Sequence, residues 1–151
     1  MHQYKGKLII HTGSMFSGKT SSLKKDLNRF KIASYNVETY KPFVDTRGGN
    51  KITVHDEESI DAFGVNSIDE IIEDVSKNKY QVIGIDEIQF LKGDGEAIRD
   101  GILELLNSGV TIVVAGLDMD YNAVAFEIIK ELMPIADYVY KHHAVCTKCG
   151  T

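Results

Sequence analysis

The chain has 151 residues, of which 43% are hydrophobic and 26% charged, as in an ordinary globular domain with a single core. Its formal net charge of −5 argues against a general nucleic-acid binder, because a duplex-binding surface needs concentrated Lys and Arg. No apolar run approaches the ~18 residues of a membrane span, and positions 1–6 lack the apolar core of a signal peptide, so we expect a cytoplasmic protein.

The most informative stretch follows the first predicted strand, a short apolar run at positions 7–12. It fits the phosphate-binding pattern G-x-x-x-x-G-K-[ST], with the residues Gly13, Ser14, Met15, Phe16, Ser17, Gly18, Lys19 and Thr20. In such a loop, backbone N–H groups cradle phosphate oxygens, the lysine reaches the terminal phosphates and the hydroxyl binds Mg²⁺. A helix predicted over 21–33 presents its positive end to the phosphates. The alternative is a Gly- and Ser-rich turn with a solvated lysine.

The rest of the chain alternates between strand and helix patterns. Strands are predicted at 36–41, ending before Pro42, and at 80–85, 111–117 and 137–141. Helices are predicted from a capping box at Ser67 to Lys77, through 98–106 and around 126–133. This alternation predicts an α/β fold of the P-loop, RecA-like type, with a parallel sheet flanked by helices. Ligands bind beyond the carboxyl ends of such strands, where Gly13, Asp86 and Asp118 fall.

Two adjacent acids follow the apolar strand at 80–85. Asp86 is the expected Mg²⁺ acid, and Glu87, which strand alternation points to the other face, is free to act as a general base. Phosphoryl transfer needs such a group to deprotonate the nucleophile. The alternative is a pair of acids that merely ends a strand at the surface.

A weakly patterned segment at 43–59 contains Asp45, which can approach the metal, and Arg47, which can bind phosphate oxygens through two hydrogen bonds. A solvated loop is the alternative interpretation. His55 has no obvious partner in the sequence, and we expect it to be structural or exposed.

Four large side chains lie near the phosphate loop or the strand ends, where they could form an apolar slot for a base: Met15, Phe90, Tyr121 and Phe126. Ordinary core packing is an equal alternative for each of them.

The only two cysteines stand close together near the end, so the chain has no disulfide framework. The spacing of Cys146 and Cys149 fits one half of a structural Zn²⁺ site. A closed site needs four ligands, which leaves open whether His142 and His143 contribute or a second cysteine pair is required.

Taken together, these residues resemble the type II thymidine kinase family of zinc-containing P-loop deoxynucleoside kinases. The resemblance covers nearly the whole chain, in family order, through the segments 13–20, 41–42, 45–47, His55, 86–90, 116–121 and 144–150. The Met-Phe-Ser sequence inside the phosphate loop and the D-E-x-Q-F block are more specific than the general phosphate-loop pattern.

The resemblance implies a role for each matching residue. Glu87 would take the proton from the 5′-hydroxyl of thymidine, Arg47 would steady the transferring phosphoryl group, and Lys19 with the loop amides would hold ATP. Thr20 with Asp45 or Asp86 would surround Mg²⁺, and Gln89 would lie by the nucleotide. The thymine pocket would be formed by Met15, Phe90, Leu117, Tyr121 and Phe126.

The resemblance also implies a homotetramer, use of deoxyuridine and feedback inhibition by thymidine triphosphate. From the charge and the lack of a long apolar run, we expect no nucleic-acid or membrane partner. We expect 1–141 to form the kinase domain and 142–151 to begin a zinc and lasso subdomain whose remainder is absent from this sequence. At 122–126 the chain departs from the family, which usually has a basic, Gly- or Pro-containing segment there. The alternatives are a P-loop ATPase or helicase fragment and a non-catalytic nucleotide-binding regulator.

Overall fold

The computed structural model describes residues 6–13, 18–43, 61–117 and 123–142, with only the backbone described at 123–126. A six-stranded parallel sheet forms its centre, in the order β3-β2-β4-β5-β1-β6. The strands are β1 (Leu8–Gly13), β2 (Val37–Pro42), β3 (Phe63–Val65), β4 (Val82–Ile85), β5 (Thr111–Leu117) and β6 (Tyr138–His142). The predicted α/β class with a parallel sheet is therefore confirmed.

Helices cover both faces of this sheet: α1 (Lys19–Ile32), α2 (Ile68–Asn78), α3 (Gly95–Asn107) and α4 (Ala123–Leu132). On one face, Leu23 and Leu27 of α1 are buried against Val82, Val113 and Ala115 of the central strands. The other three helices contribute to a larger apolar cluster on the opposite face. Because both faces are covered, the central strands are apolar at nearly every position, as buried parallel strands are.

The smaller cluster contains Ile9 of β1 at its border, whereas Leu8 and Ile10 belong to the larger cluster. Successive side chains of a strand point to opposite faces. His11 therefore shares the α1 face with Ile9, and Thr12 shares the opposite face with Ile10. This assignment places His11 between the sheet and the helix that follows the phosphate loop.

The structure adds one strand to the five that the sequence predicts. The short strand β3 pairs with β2 at the edge of the sheet, where Pro42 lies opposite Val65. The predicted end of β2 before Pro42 is thus one residue early. Proline is tolerated there because it stands at the end of the strand, where a missing N–H donor costs little.

The capping box predicted at the start of α2 is wrong in detail. The side chain of Ser67 makes no capping hydrogen bond, and a carboxylate oxygen of Glu70 instead accepts from the backbone N–H of Asn66 at 3.0 Å. The start of α3 is capped by Asp94, whose carboxylate accepts from the N–H of Ala97 at 2.8 Å. At the start of both helices, a side-chain carboxylate thus accepts a hydrogen bond from a backbone N–H group that has no partner within the helix.

Within the four described ranges, no helix is both long enough and apolar enough to cross a bilayer.

Candidate functional site

The described ends of the phosphate loop are Gly13, the last residue of β1, and Gly18, which precedes α1. Gly18 adopts φ 90° immediately before α1, a left-handed conformation that strains any residue with a Cβ. Its carbonyl oxygen accepts from the N–H of Ser22 at 3.1 Å, which starts the helix. Lys19 is the first residue of α1, and the first turn contains no acid, so nothing in that turn offsets the positive helix end. The segment is therefore suited to hold an anion.

Thr20 and Asp86 are brought together from positions 66 residues apart. The Thr20 hydroxyl donates to Asp86, with Oγ1 lying 3.1 Å from Oδ1 and 3.4 Å from Oδ2. Asp86 directly follows β4, and its backbone N–H donates to the carbonyl of Tyr40 on β2 at 2.9 Å. The contact joins the last residue of the phosphate loop, which follows β1, to the acid that follows β4, two strands away in the sheet. Both are hard oxygen donors of the kind that Mg²⁺ prefers.

Asp86 is only 3% exposed, and its environment disfavours the charged carboxylate. Burial, and next the negative charge of Glu87, raise the pKa of Asp86 to about 6. The Lys41 ammonium and the hydrogen bonds from Thr20 and from the Glu87 N–H act in the opposite direction. A buried carboxylate next to a second acid gains from a cation placed beside it.

Glu87 lies outside the strand, because β4 ends at Ile85. Its backbone is left-handed, with φ 52° and ψ 47°, just before the 3₁₀ turn Ile88–Phe90. Strand alternation, from which the direction of its side chain was predicted, therefore does not apply to Glu87. A left-handed non-glycine residue costs of order 1–3 kcal/mol, and such strain concentrates at functional sites.

Gln89 connects this turn to the end of β5. It is 8% exposed, and its Oε1 accepts from the backbone N–H of Leu117 at 3.2 Å. Gly116 permits the close approach: a Cβ built there would lie 2.8 Å from Ile88 and 3.1 Å from Gln89 Oε1. Any larger residue at 116 would push the turn away from β5.

Phe90 and Leu117 are placed at the same edge. Leu117 is the register partner of Gly13, so the end of β5 lies beside the start of the phosphate loop. Phe90 ends the 3₁₀ turn and is 48% exposed, which rules out full burial in the core. Of the predicted base-slot side chains, Phe90 is thus positioned at the edge where a ligand would bind.

Several predicted site residues lie outside the described part of the chain: Ser14, Met15, Phe16, Ser17, Asp45, Arg47, Tyr121, Cys146 and Cys149, together with the side chain of Phe126. His55 and Asp118 also lie there. Among the residues that are described, no group of three or more His, Cys, Asp or Glu side chains could hold a metal ion.

Two features of the site were missed from the sequence. Lys41 affects Asp86 because β2 and β4 are neighbours in the sheet, with Tyr40 opposite Ile85. His11 contacts both Asp26 and His142. The only available signal was the presence of charged or polar residues within predicted strands, which does not identify their partners.

Comparisons with known proteins agree with this arrangement. Residues 6–151 match the family model described as thymidine kinase. The chain is 40% identical over 147 residues to a thymidine kinase of Bacteroides fragilis, covering 97% of this chain and 71% of that protein. It is 40% identical over 150 residues to one of Mesoplasma florum, covering 96% and 72%.

The chain is also similar, in fold alone, to a solved structure. The flagellar accessory protein FlaH of Methanocaldococcus jannaschii superposes with a TM-score of 0.61 at 16% sequence identity, covering 91% of this chain and 71% of that chain.

Proposed function

Since the chain belongs to the thymidine kinase family, we propose which of its residues carry out each part of the reaction. The enzyme is an ATP-dependent phosphotransferase that acts on thymidine and uses Mg²⁺. The observation that carries the assignment is the 3.1 Å contact between Thr20 and Asp86. It brings the end of the phosphate loop together with the acid that follows β4.

The phosphates of ATP lie on the loop Gly13, Ser14, Met15, Phe16, Ser17, Gly18 and Lys19 in this proposal. The support is the left-handed Gly18 and the acid-free first turn of α1, which together suit an anion. Lys19 holds the terminal phosphates, and Arg47 binds the transferring phosphoryl group through its planar pair of donors. Neither side chain has to move a proton.

The metal ligands are Thr20 and Asp86, with Asp45 as a further candidate. A bound Mg²⁺ neutralises charge on the phosphate oxygens. The raised pKa of Asp86 fits this role. It shows that the charged carboxylate is destabilised in its buried site, and a positive charge placed beside it would stabilise that carboxylate.

Glu87 is the general base. Its carboxylate accepts the proton of the thymidine 5′-hydroxyl while that oxygen forms a bond to the γ-phosphorus of ATP. The bond from this phosphorus to the bridging oxygen breaks, so thymidine monophosphate and ADP are the products. Support comes from its place beside Asp86 and from its strained backbone, which the surrounding structure must hold in place.

Thymine binds among Met15, Phe90, Leu117, Tyr121 and Phe126, and Gln89 lies by the nucleotide. Two observations support this pocket: the half-exposed ring of Phe90, and Leu117 beside Gly13. The Gln89 Oε1 is engaged by the backbone of β5, so its role toward the nucleotide is to shape the edge or to use its amide N–H groups.

The segment after the sheet begins a zinc subdomain in this proposal, with Cys146 and Cys149 as two of the ligands, because their spacing suits one tetrahedral ion. The kinase domain then comprises 1–141, although β6 extends one residue further, to His142. On the family resemblance, we also propose a homotetramer, inhibition by thymidine triphosphate and use of deoxyuridine. The cytoplasmic location is proposed from the sequence.

Substitution of Asp86 by asparagine tests the metal assignment. Folding raises the pKa of Asp86 from 3.8 to about 6, so the folded state binds a proton more tightly and stability falls as pH rises between these values. Asparagine stays neutral and still accepts from Thr20. Without metal, we expect Asp86→Asn to exceed the unsubstituted protein in stability by up to about 3 kcal/mol at pH 7.5, and to match it near pH 4. Denaturant unfolding measures both values.

Adding Mg²⁺ and ATP at pH 7.5 is expected to stabilise the unsubstituted protein and to have much less effect on Asp86→Asn. Asp69→Asn, at an exposed acid of α2, serves as the control and should respond to the nucleotide normally. Equal stabilisation of Asp86→Asn by the metal nucleotide would remove Asp86 from the metal site. A stability difference that does not change with pH would contradict its burial as a carboxylate.

A further inference from the structure

A chain of polar contacts runs through His11, close to the phosphate loop. His11 is 5% exposed and lies two residues before Gly13 on β1. Its Nε2 is 2.7 Å from Oδ2 of Asp26 on α1, and its Nδ1 is 3.0 Å from Nε2 of His142 at the end of β6. The ring also stacks on Tyr140, with centroids 5.3 Å apart and planes 18° from parallel. One side chain of β1 thus contacts two other elements, α1 and β6.

The hydrogen-bond partners of His11 determine which ring nitrogen carries the hydrogen. An ionised carboxylate only accepts hydrogen bonds, so Nε2 of His11 carries the hydrogen that Asp26 receives. In neutral His11, Nδ1 then accepts from the Nε2–H of His142. Asp26 and His142 contact different nitrogens of the His11 ring. The three side chains therefore connect β1 to α1 and β6, and they do not surround a common point where an ion could bind.

The position of this contact matters because β1 leads into the phosphate loop and α1 leads out of it. Asp26 follows Lys19 by seven residues, which is about two helical turns, so both lie on the same side of α1. His11 therefore holds the helix to the strand on the side of Lys19. A small slide of α1 along the sheet would move Lys19 and Thr20 with it.

The apolar contacts of α1 do not prevent such a slide by themselves. Leu23 and Leu27 pack on the central strands β4 and β5, and apolar contact is non-directional. The hydrogen bond from His11 to Asp26 is directional and involves a charge, so its geometry is narrow. A buried polar pair is often no better for stability than an apolar pair, and its best-attested use is to specify one arrangement.

We propose that His11 is a positioning residue for the phosphate-binding loop, which it serves by holding α1 to β1 through Asp26. Through His142 it links the same point to the end of β6, from which the chain continues toward Cys146 and Cys149. The inference rests on the proposed role of the loop in holding ATP. It predicts that loss of the His11 contacts weakens the binding of ATP but not the binding of thymidine.

The test compares His11→Leu with His11→Gln. Leucine removes both polar contacts, whereas the glutamine amide can still donate to Asp26. His11→Leu is expected to raise KM for ATP roughly tenfold, the scale of one charge-assisted hydrogen bond, while KM for thymidine stays within about twofold. His11→Gln should recover most of the ATP effect. The dissociation constant for ATP, measured by calorimetry, should follow KM.

Asp137→Ala is the matched control for general weakening of the β1–β6 pair. The Asp137 carboxylate accepts from the N–H of Leu8 at 2.9 Å, at the end of β1 away from the loop. This variant is expected to lower the melting temperature without changing KM for ATP. If it raises KM for ATP as much as His11→Leu does, the effect reflects lost stability and the proposal fails.

Asp26 provides a second pair of variants should His11→Leu not fold. Asp26→Ala removes the acceptor and is expected to raise KM for ATP as His11→Leu does, whereas Asp26→Asn retains an acceptor oxygen and should have a small effect. In the double variant the two losses should not add, because both remove the same contact. Unchanged KM for ATP in folded His11→Leu or Asp26→Ala, or additive losses, would overturn the proposal.

Lys19→Ala separates this inference from the role of the loop. If Lys19→Ala weakens ATP binding and the His11 and Asp26 variants do not, the positioning role alone is wrong. If Lys19→Ala leaves ATP binding unchanged, the loop assignment fails, and the inference about His11 fails with it.

Discussion

Replacing Glu87 with glutamine is expected to lower kcat for thymidine phosphorylation by ~10²–10⁴, the usual contribution of a general base. The amide has nearly the shape of the carboxylate but cannot accept the 5′-hydroxyl proton. Because Glu87 is assigned no contact with the phosphates, the dissociation constant for ATP should stay within about twofold. Steady-state kinetics and calorimetry on the same preparation measure the two quantities.

Glu96→Gln is the control for this substitution. Glu96 lies in the first turn of α3 and is exposed, so the same chemical change there should leave kcat unaltered. Retention of full turnover by Glu87→Gln would remove Glu87 from the role of base. A loss of ATP binding equal to the loss of turnover would instead assign Glu87 to the nucleotide site.

Replacing Lys19 with alanine is expected to weaken ATP binding by roughly tenfold to a hundredfold. Hydrogen bonds to charged groups contribute about 1.5–3 kcal/mol, which corresponds to that range of dissociation constants. The helix terminus and the loop amides remain, so binding should be weakened and not abolished. Calorimetric titration with Mg²⁺ and ATP gives the affinity without requiring turnover.

Lys24→Ala, an exposed lysine further along α1, controls for the loss of one positive charge from the same helix. It is expected to bind ATP as the unsubstituted protein does. Two results would contradict the assignment of Lys19. Lys19→Ala could bind ATP as tightly as the unsubstituted protein, or Lys24→Ala could lose as much ATP affinity as Lys19→Ala does.

Regular elements with a strong local pattern were predictable from the sequence. The apolar β-branched run of β5 and the helical spacing of α3 are examples. By contrast, β3 has three residues with a glycine in the middle, which is too short for a pattern. It becomes a strand through its pairing with β2, a contact between distant parts of the chain. The start of the turn at Glu87 depends equally on its surroundings, since glutamate does not favour a left-handed backbone.

The centre of the site was predictable for a general reason. Ligands bind at the carboxyl ends of parallel strands, so a phosphate loop after one strand and an acid after another were expected to meet. Thr20 and Asp86 do so. The influence of Lys41 and the contacts of His11 required the order of the strands, which places β2 beside β4 and β6 beside β1. No spacing along the chain contains that information.

Transfer of the labelled γ-phosphate from ATP to thymidine tests the central claim most directly. The reaction is run with and without thymidine and with and without Mg²⁺, and the label is followed into thymidine monophosphate and inorganic phosphate. We expect labelled thymidine monophosphate only when both are present, with little free phosphate. Release of inorganic phosphate at the same rate without thymidine, and no labelled nucleotide product, would contradict the account.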